Sequence, residues 1–346
     1  MRDAPAATAV TQAESGQKLI QWLRRRLDAP SGVLHKWIRT GQIRVNGGRV
    51  TAFVPVREGD LIRLPPFCRA AAAPPARPPS PPLPPLPPVL ASDAGMLVLH
   101  KPAGLPTQSG SGHSDSVAAR LAALDAGAAF HPAPAHRLDR DTSGVLLVGR
   151  TFAALRDLAG ALRQRAAVKE YVAWARGRWP EDGVRLIRHA LRKEGPEGRE
   201  KMRAHPWDAP PPGAKDALLL ARPLERRPGA TLLHIRLLTG RTHQIRAQMR
   251  ALGFPLIGDG KYGPPPGPGP RPPLLLHAVR LTLPDGRSFA CLPDWPAPWT
   301  IAAPPPPFPP GIPSFPPFPP FRKEAPPRAA RRKGRGACFS KKSMLP

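Results

Sequence analysis

The sequence predicts an α+β protein that consists of a small N-terminal domain and a larger domain of mixed strands and helices. Proline-rich stretches divide the 346-residue chain into segments that can and cannot form a core. Residues 17–66 combine two amphipathic helical patterns with a hairpin signal. From residue 96 to about residue 303, apolar strand patterns alternate with an amphipathic helix.

Proline marks the predicted domain boundaries. Residues 74–88 hold 10 prolines in 15 positions, and residues 304–346 hold 14 prolines. Because proline lacks a backbone N–H and fixes φ, neither stretch can continue a helix or a central strand. We therefore expect five segments: a disordered N-terminus (1–16), a small domain (17–70), a stiff linker (71–90), a large domain (91–303) and a disordered basic tail (304–346).

The small domain is predicted to contain two helices, a hairpin and a final strand. The first helix has apolar residues at helical spacing and ends before Pro30. The second helix runs over residues 31–40. Asn46-Gly47 between alternating residues predicts the hairpin, and residues 61–64 form the final strand.

The charge of the chain predicts a polyanionic partner. There are 52 lysines and arginines against 24 aspartates and glutamates, a formal net charge of +28. Codon bias in a GC-rich genome explains arginine in place of lysine, but not so few acidic residues. A basic protein of this size most often binds nucleic acid. Lys36, Arg39, Arg44 and Arg49 are the candidate RNA contacts of the small domain; the alternative is a solvated basic face.

The stretch IRTGQIRVNGGRV, residues 38–50, resembles the S4 RNA-binding domain. It keeps the glycine that ends the helix and the "VNG" hairpin of that domain. It departs from the pattern at Ile20, which replaces an acidic residue, and at Ser31 and Gly32, which replace a basic residue and a serine. The resemblance implies a small S4 (αL-type) RNA-binding domain, and the departures imply a weaker grip on RNA.

Composition and spacing exclude several classes of protein. No run of about 18 apolar residues is present, so no membrane span is expected. Cys68, Cys291 and Cys338 lack CxxC spacing and predict neither a disulfide framework nor a zinc site. The chain opens without a secretory leader, and we expect a cytoplasmic protein. The sequence shows no Walker A loop and no GxGxxG after a strand, so no nucleotide cofactor is expected.

The segment His136–Gly144 precedes a predicted buried strand and contains two candidate catalytic carboxylates. Asp139 and Asp141 lie there among three basic side chains. A carboxylate beside cationic groups is held ionised, which suits a nucleophile or a base. The residues alone do not choose between the two aspartates. A surface ion-pair cluster, or a glycosidase or nuclease with two opposed carboxylates, are the alternatives.

The stretch HRLDRDTSGVLLV, residues 136–148, resembles the catalytic motif of the RluA-type pseudouridine synthases. Four further stretches match that family: LVLHKPAGLPTQSGSG, Lys169-Glu170-Tyr171, LLTGRTHQIRAQMRALGFPLIGDGKYG and Leu276-His277-Ala278. Both tyrosines of the chain, Tyr171 and Tyr262, fall in these stretches. Together with the S4-like domain, the resemblance covers residues 17–66 and about 92–300.

The resemblance implies a catalytic domain built on a mixed, mainly antiparallel sheet flanked by helices. It implies that Asp139 is the essential catalytic residue and that Arg246 pairs with it. Tyr171 would stack on the target base, and Arg137 would fill the gap that the flipped base leaves. The other implied site residues are Arg241, His243 and Gln244 in an RNA-binding loop, and Ile245 and Leu276 as walls of the base pocket.

The resemblance also implies the reaction and its substrate. The family isomerises specific uridines of RNA, and the motifs are most similar to the branch that modifies 23S ribosomal RNA at three uridines (955, 2504 and 2580). Branches that act on helix 69 of 23S RNA or on tRNA stay open, as does a non-catalytic S4-type RNA-binding protein. The reaction has no net redox change and no group donor, so we expect no cofactor and no metal. We also expect the protein to be a monomer.

Overall fold

The computed structural model describes residues 7–27, 29, 31–66, 83–108, 115–124, 130–196, 200–265 and 272–308. The backbone divides into two compact units, residues 1–306 and 307–346, and residues 307–308 are the described part of the second. The predicted tail beyond residue 308 and the predicted linker over residues 71–82 lie outside the described residues. No helix in the described ranges is long and apolar enough to cross a membrane.

The N-terminal residues form a three-stranded sheet that shares a core with two helices. The elements are β1 (Ala7–Ala9), α1 (Leu19–Arg26), α2 (Ser31–Arg39), β2 (Arg44–Val45) and β3 (Leu61–Arg63). β3 lies between β1 and β2 and pairs antiparallel with both. Trp22, Leu23 and Leu34 are fully buried in the core, so the apolar faces of both predicted helices meet there.

The hairpin turn forms where the Asn-Gly pair predicts it. Asn46 and Gly47 have φ values of 50° and 77°, a region in which asparagine and glycine are least strained. The side chain of Asn46 accepts the backbone N–H of Leu61 at 2.8 Å and donates to Asp60 at 2.8 Å. One side chain therefore fixes the turn and ties it to the final strand.

Residues 7–14, which composition placed outside the small domain, belong to it. β1 pairs with β3, and Val10 beyond it is buried in the domain core. The buried carboxylate of Glu14 accepts two hydrogen bonds from the Arg26 guanidinium, at 3.2 and 2.8 Å. A three-residue strand is too short to give a periodic signal, so the sequence did not predict it.

The larger part of the described chain is built on one mixed sheet, in which eleven strands are assigned among the described residues. These strands are β4 (Val89–Ser92), β5 (Met96–Lys101), β6 (Ala133–Pro134), β7 (Ser143–Gly149), β8 (Val168–Arg176), β9 (Arg185–Glu194), β10 (Lys201–His205), β11 (Lys215–Arg227), β12 (Ala230–Leu237), β13 (Leu276–Thr282) and β14 (Ser288–Ala290). The helices beside them are α3 (Val117–Leu124), α4 (Phe152–Arg163) and α5 (Gln244–Ala251).

The strand order is β10-β9-β11-β12-β8-β13-β7-β5-β4, with β14 beside β13 and β6 beside β7. The pairing of β13 with β7 is parallel. The other pairings described in this sheet are antiparallel. The sheet is therefore mixed and mainly antiparallel, as the resemblance implied, and β4 begins inside the stretch predicted as linker.

The central strand β7 is buried along its whole length. Its side chains alternate between two cores, with Leu146 and Val148 in one and Val145 and Leu147 in the other. A strand covered on both faces is an unbroken apolar run, and this is why the sequence pattern identified it. The motif loop that contains Asp139 is therefore attached to the most buried strand of the sheet.

Gly144 lets β7 and β13 approach closely. Its φ is +122°, and a Cβ added there would lie 2.3 Å from the carbonyl oxygen of Ala278, its partner in the parallel ladder. No residue with a side chain fits this position without moving a backbone. The close approach fixes the motif loop next to Leu276 at the start of β13.

Replacing Gly144 with alanine is expected to lower the free energy of unfolding by at least about 3 kcal/mol, because the added Cβ would push β13 away from β7. Gly229→Ala is the matched control: φ of Gly229 is also positive, at 71°, but nothing lies within 4 Å of the added Cβ. Its expected loss is about 1 kcal/mol. Urea unfolding followed by circular dichroism would compare the variants, and equal losses would contradict the close approach.

Candidate active site

A cavity of about 460 Å³ opens between the motif loop and the N-terminal end of α5. Its lining also includes the end of α4 and the start of β8. This volume is in the usual range for a small-molecule site. The predicted site residues that line it are Arg137, Asp139, Tyr171, Arg241, His243, Gln244, Ile245, Arg246 and Leu276.

The structure distinguishes the two aspartates that the sequence left equivalent. Asp139 faces the cavity, whereas Asp141 forms an ion pair with the neighbouring Arg140 at 2.8 Å, and more than a third of each of these two side chains is exposed. Asp139 is the only carboxylate among the described residues that line the cavity. The described lining therefore lacks the two opposed carboxylates that a glycosidase would need.

Two side chains of the α5 region approach the Asp139 carboxylate. Arg246 Nη1 lies 3.5 Å from Asp139 Oδ2, and His243 Nε2 lies 3.9 Å from Oδ1. The Arg246 side chain is 6% exposed and that of Asp139 is 15% exposed. In this partly desolvated setting, the attraction between the guanidinium and the carboxylate is stronger than in bulk water. The carboxylate is held on one side and open to the cavity on the other.

Asp259 fixes Arg246 on the side away from Asp139. Its Nε and Nη2 donate to the two carboxylate oxygens of Asp259, both at 2.8 Å, in the forked geometry typical of strong arginine–carboxylate pairs. Asp259 is fully buried and also accepts the backbone N–H groups of Lys261 and Tyr262 at 2.9 Å. Burial alone would raise the pKa of Asp259, but these hydrogen bonds and the Arg246 charge lower it below its usual value. The sequence paired Arg246 with Asp139, yet its shorter contacts are to Asp259.

His243 is oriented by a tyrosine. It lies at the residue before α5 with a left-handed φ of 50°. Its Nδ1 is 2.9 Å from the hydroxyl of Tyr262, and that hydroxyl accepts the backbone N–H of Met202 at 3.0 Å. The phenol hydrogen remains available to donate a hydrogen bond to Nδ1, an arrangement that turns Nε2–H toward Asp139. Burial lowers the pKa of His243, and the nearby charge of Asp139 opposes this shift.

A threonine fixes the backbone next to the catalytic candidate. Thr107 Oγ1 donates to the carbonyl of Leu138 at 2.9 Å and accepts the backbone N–H of Leu138 at 3.1 Å. Both polar groups of Leu138 are thus satisfied by one buried hydroxyl. The residue after it is Asp139, so these two hydrogen bonds set the direction from which its side chain enters the cavity.

A buried lysine ties the same loop to the turn after β5. Lys101 is fully buried, and its ammonium group donates to the carbonyls of Pro102, Leu105 and Arg140 at 2.8, 2.7 and 3.0 Å. Burial lowers the pKa of Lys101 to about 7, against the charges of the two motif aspartates. Lys101 does not line the cavity, and it acts as a positioning residue.

One part of the cavity wall is apolar. Ile245 and Leu276 are buried and line it, and Tyr171 of β8 is 7% exposed. Burial, and then the nearby charge of Asp139, raise the pKa of Tyr171, so its phenol keeps its proton. The site combines one carboxylate with an aromatic ring and aliphatic walls, which suits a planar uncharged base.

Basic side chains surround the cavity opening. Arg137 is exposed, and Arg163, Arg165 and Lys169 line the same cavity. Arg241 donates from Nε to the carbonyl of Asp216 at 2.9 Å, which fixes it at the rim. The sequence identified Arg137 and Arg241 but not Arg163 or Arg165, because nothing in the helical pattern of α4 indicated which face meets the loop.

Gln244 is engaged within the protein. Its Oε1 accepts the Thr239 hydroxyl at 2.8 Å and the Arg241 backbone N–H at 3.0 Å, and its Nε2 donates to the carbonyl of Leu218 at 2.9 Å. The buried amide braces the loop before α5. Its position fits the support of this RNA-binding loop that the resemblance implied.

The four candidate RNA contacts of the small domain do not line the cavity. Lys36 and Arg39 are exposed on α2. Arg44 donates to the carbonyls of Gly41 and Gly47 at 3.3 and 3.1 Å, so part of its guanidinium supports the hairpin. Arg49 is exposed, and its Nε would lie 2.8 Å from a Cβ added at Gly41.

Comparisons with known proteins identify the family of this chain. A family model described as RNA pseudouridylate synthase matches residues 95–251. The "Ribosomal large subunit pseudouridine synthase C" of Haemophilus influenzae is 33% identical over 257 residues, which cover 73% of this chain and 78% of that protein. The Escherichia coli K12 protein of the same name is 35% identical over 258 residues, covering 74% and 79%.

A solved structure also resembles this chain. It is titled human RNA pseudouridylate synthase domain containing 1, with a TM-score of 0.50 and 29% identity over 60% of this chain and 82% of that chain. The family model and these relatives place the chain among enzymes that rearrange a nucleotide without a second substrate. The chain belongs to the RNA pseudouridylate synthase family, and it is an isomerase that converts uridine to pseudouridine in RNA.

Asp259→Asn is expected to lower kcat by about 100-fold, because Arg246 would lose one of its two fixed contacts and shift from Asp139. The variant would also lose about 3–5 kcal/mol of stability, since a buried guanidinium would lack its anionic partner. Asp285→Asn is the matched control: its ion pair with Arg287 is about half exposed, and no change is expected. Single-turnover kinetics at a temperature where both variants are folded would measure the effect, and full activity of Asp259→Asn would contradict it.

Proposed function

We propose that this enzyme isomerises uridines in ribosomal RNA of the large subunit, with Asp139 as the catalytic carboxylate. The observation that supports this most is the single carboxylate in a base-sized cavity, held by an arginine that is itself fixed by Asp259. The substrate class is supported by relatives of 33% and 35% identity that are named ribosomal large subunit pseudouridine synthase C.

The reaction breaks the N1–C1′ glycosidic bond of uridine, turns the base and joins C1′ to C5, from which a proton then leaves. Atoms and electrons balance within one nucleotide, so neither a group donor nor a redox partner takes part. The target base cannot react while it is stacked, and it has to be flipped into the cavity. The exposed position of Arg137 beside the opening suits a residue that occupies the space left in the RNA.

Asp139 acts either by attacking the nucleotide or by removing a sugar proton to give a glycal. Both routes need an ionised carboxylate next to the ribose. Arg246 supplies a positive charge 3.5 Å away, and the charge is present before the substrate binds because Asp259 fixes it. A preorganised charge in a partly desolvated site stabilises charge development in the transition state more than solvent would.

Tyr171 stacks on the flipped base and helps to remove the proton from C5. Its phenol is neutral and lies on the wall of the cavity. Ile245 and Leu276 exclude water from the remaining faces of the base. The imidazole of His243 lies 3.9 Å from the carboxylate, next to the position that the substrate ribose would take.

RNA affinity comes from cations on the cavity lining and from cations of the small domain. The basic rim of Arg163, Arg165, Lys169 and Arg241 lies where phosphates flank a flipped nucleotide. The small domain functions as an S4-type module, and its α2 residues Lys36 and Arg39 contact further phosphates. We infer that the enzyme acts as a monomer in the cytoplasm, where ribosomal RNA is made, and that its target branch is the 955/2504/2580 type.

Asp139→Asn is expected to lower pseudouridine formation in a 23S ribosomal RNA transcript by at least about 10⁴-fold, because the amide cannot act as nucleophile or base. RNA affinity should stay within about twofold, since the side chain keeps its shape. Asp141→Asn is the matched control and should retain activity, because Asp141 pairs with Arg140 outside the cavity. Tritium release from 5-tritiated uridine would measure both variants.

The same assay on separate transcripts of helix 69, of tRNA and of 23S RNA without helix 69 separates the competing functions. Modification of 23S RNA at sites outside helix 69 supports the proposal, whereas modification confined to helix 69 or to tRNA would overturn the assigned target. A wild-type protein that binds these RNAs without releasing tritium would be an RNA-binding protein only. An equal loss of activity in Asp139→Asn and Asp141→Asn would contradict the assignment of catalysis to Asp139 alone.

The double variant Lys36→Gln/Arg39→Gln is expected to weaken RNA binding. The slope of log K against the logarithm of the salt concentration should become shallower by about two. Its single-turnover rate at saturating RNA should not change, because neither residue lines the cavity. Arg156→Gln/Arg287→Gln removes the same charge from two exposed residues paired with nearby aspartates. Salt titrations by fluorescence anisotropy would compare them, and identical slopes would mean that α2 makes no phosphate contact.

A further inference from the structure

A cluster of three potential metal ligands lies on the β13 face opposite the cavity. Leu276 lines the cavity, and the next residue, His277, points to the other face because strand side chains alternate. His100 of β5 and Cys291, directly after β14, lie beside it. One ligand atom from each of these three residues lies within 4.8 Å of the other two.

The Cys291–His277 distance fits a tetrahedral zinc ion. Cys291 Sγ lies 3.5 Å from His277 Nε2. Zinc–sulfur and zinc–nitrogen bonds of about 2.3 and 2.0–2.1 Å at tetrahedral angles separate the two ligand atoms by about 3.5 Å. A ring nitrogen of His100 lies within 4.8 Å of a ligand atom of each of the other two residues, and a water molecule would take the fourth position. Two imidazoles and a thiolate are ligands that zinc prefers.

His277 also has the outer partner that a zinc-bound histidine needs. Its Nδ1 lies 2.8 Å from Ser143 Oγ, which can accept a proton from the ring. A ligating histidine generally donates its second nitrogen to such a partner, which fixes the ring and its tautomer. Without a metal, Nε2 donates to the carbonyl of Cys291 at 3.0 Å. For His277 to bind a metal through Nε2, its ring proton has to move to Nδ1, and this hydrogen bond to the Cys291 carbonyl is given up.

The electrostatic setting also suits a cation. The negative charge of Asp294, exposed three residues after Cys291, acts on both Cys291 and His100. Burial, and then this charge, raise the pKa of the Cys291 thiol to about 12, so zinc has to displace the thiol proton. Coordination forms the Zn–S bond and releases that proton to water.

We propose that His100, His277 and Cys291 form a zinc site that attaches the segment after β14 to the central sheet. The ion would join β5, β13 and this segment, which are distant in sequence. None of the three residues lines the cavity, so the site is structural and not catalytic. Its position behind Leu276 and Ser143 lets it stiffen the cavity wall and the start of β7.

Cobalt binding to the untagged, chelator-treated full chain tests this proposal. Co²⁺ adopts zinc sites and gives a near-ultraviolet charge-transfer band when a thiolate is bound. We expect one equivalent of Co²⁺, the charge-transfer band, and displacement by Zn²⁺. Cys291→Ser should abolish the band and weaken binding at least 10-fold, and His100→Asn should weaken binding comparably. The Cys68→Ser/Cys338→Ser protein is the matched control and should retain the band.

A thermal readout excludes a folding defect. Zn²⁺ at about 100 times its Kd should raise the Tm of the wild type by roughly 5 °C and leave that of Cys291→Ser unchanged. Pseudouridine formation by metal-free Cys291→Ser should equal that of the metal-free wild type. The proposal is overturned if the wild type shows no band, or if the band survives Cys291→Ser and disappears in Cys68→Ser/Cys338→Ser.

Discussion

Arg246 stands between two carboxylates, Asp259 behind it and Asp139 in front. The forked hydrogen bonds to Asp259 compensate the cost of burying the guanidinium and prevent it from turning away. The remaining nitrogen, Nη1, then faces Asp139 at 3.5 Å. Thr107 fixes the backbone on the other side of the carboxylate through Leu138. Both charges are therefore in place before RNA arrives, and the energy of RNA binding can be used to flip the base.

Strand β13 connects the catalytic cavity with the rest of the sheet. It pairs with β7 in parallel, and Gly144 allows their backbones to approach to a distance that no other residue permits. Leu276 on one face forms a wall of the cavity, and His277 on the other face bonds to Ser143 of the motif. Since the two faces share one backbone, a change at the proposed zinc ligands bears directly on the cavity wall.

Binding and chemistry are divided between different parts of the surface. The cavity holds one carboxylate and apolar walls, which recognise a single base. On the proposed function, the charge of +28 on the chain, the basic rim and the exposed cations of α2 would act on phosphates, which contribute affinity but little sequence information. Because the cavity and the basic surface are separate, removal of surface charge would change RNA affinity and leave the chemical step intact.

The sequence by itself determined several elements and the chemistry-bearing segments. An unbroken apolar run identified β7, apolar periodicity identified α1, α2 and α4 but not α3 or α5, Asn46-Gly47 identified the hairpin, and the motif at residues 136–148 identified the aspartates. Such signals are local, because they arise from neighbours on one strand, helix or turn. Composition misassigned residues 7–14 and the start of β4, where strands of three and four residues are too short to show a period.

Only the tertiary structure decided which of these residues act together. Asp139 and Arg246 are 107 positions apart, and their approach depends on the order of strands in the sheet. The sequence could not choose Asp139 over Asp141, because two residues so close in the chain separate only when the loop is folded. Asp259 and Lys101 lay in recognised stretches, but the sequence did not indicate their partners. A buried charge needs an opposite charge or hydrogen-bonding carbonyls, and the tertiary fold decides which groups lie beside it.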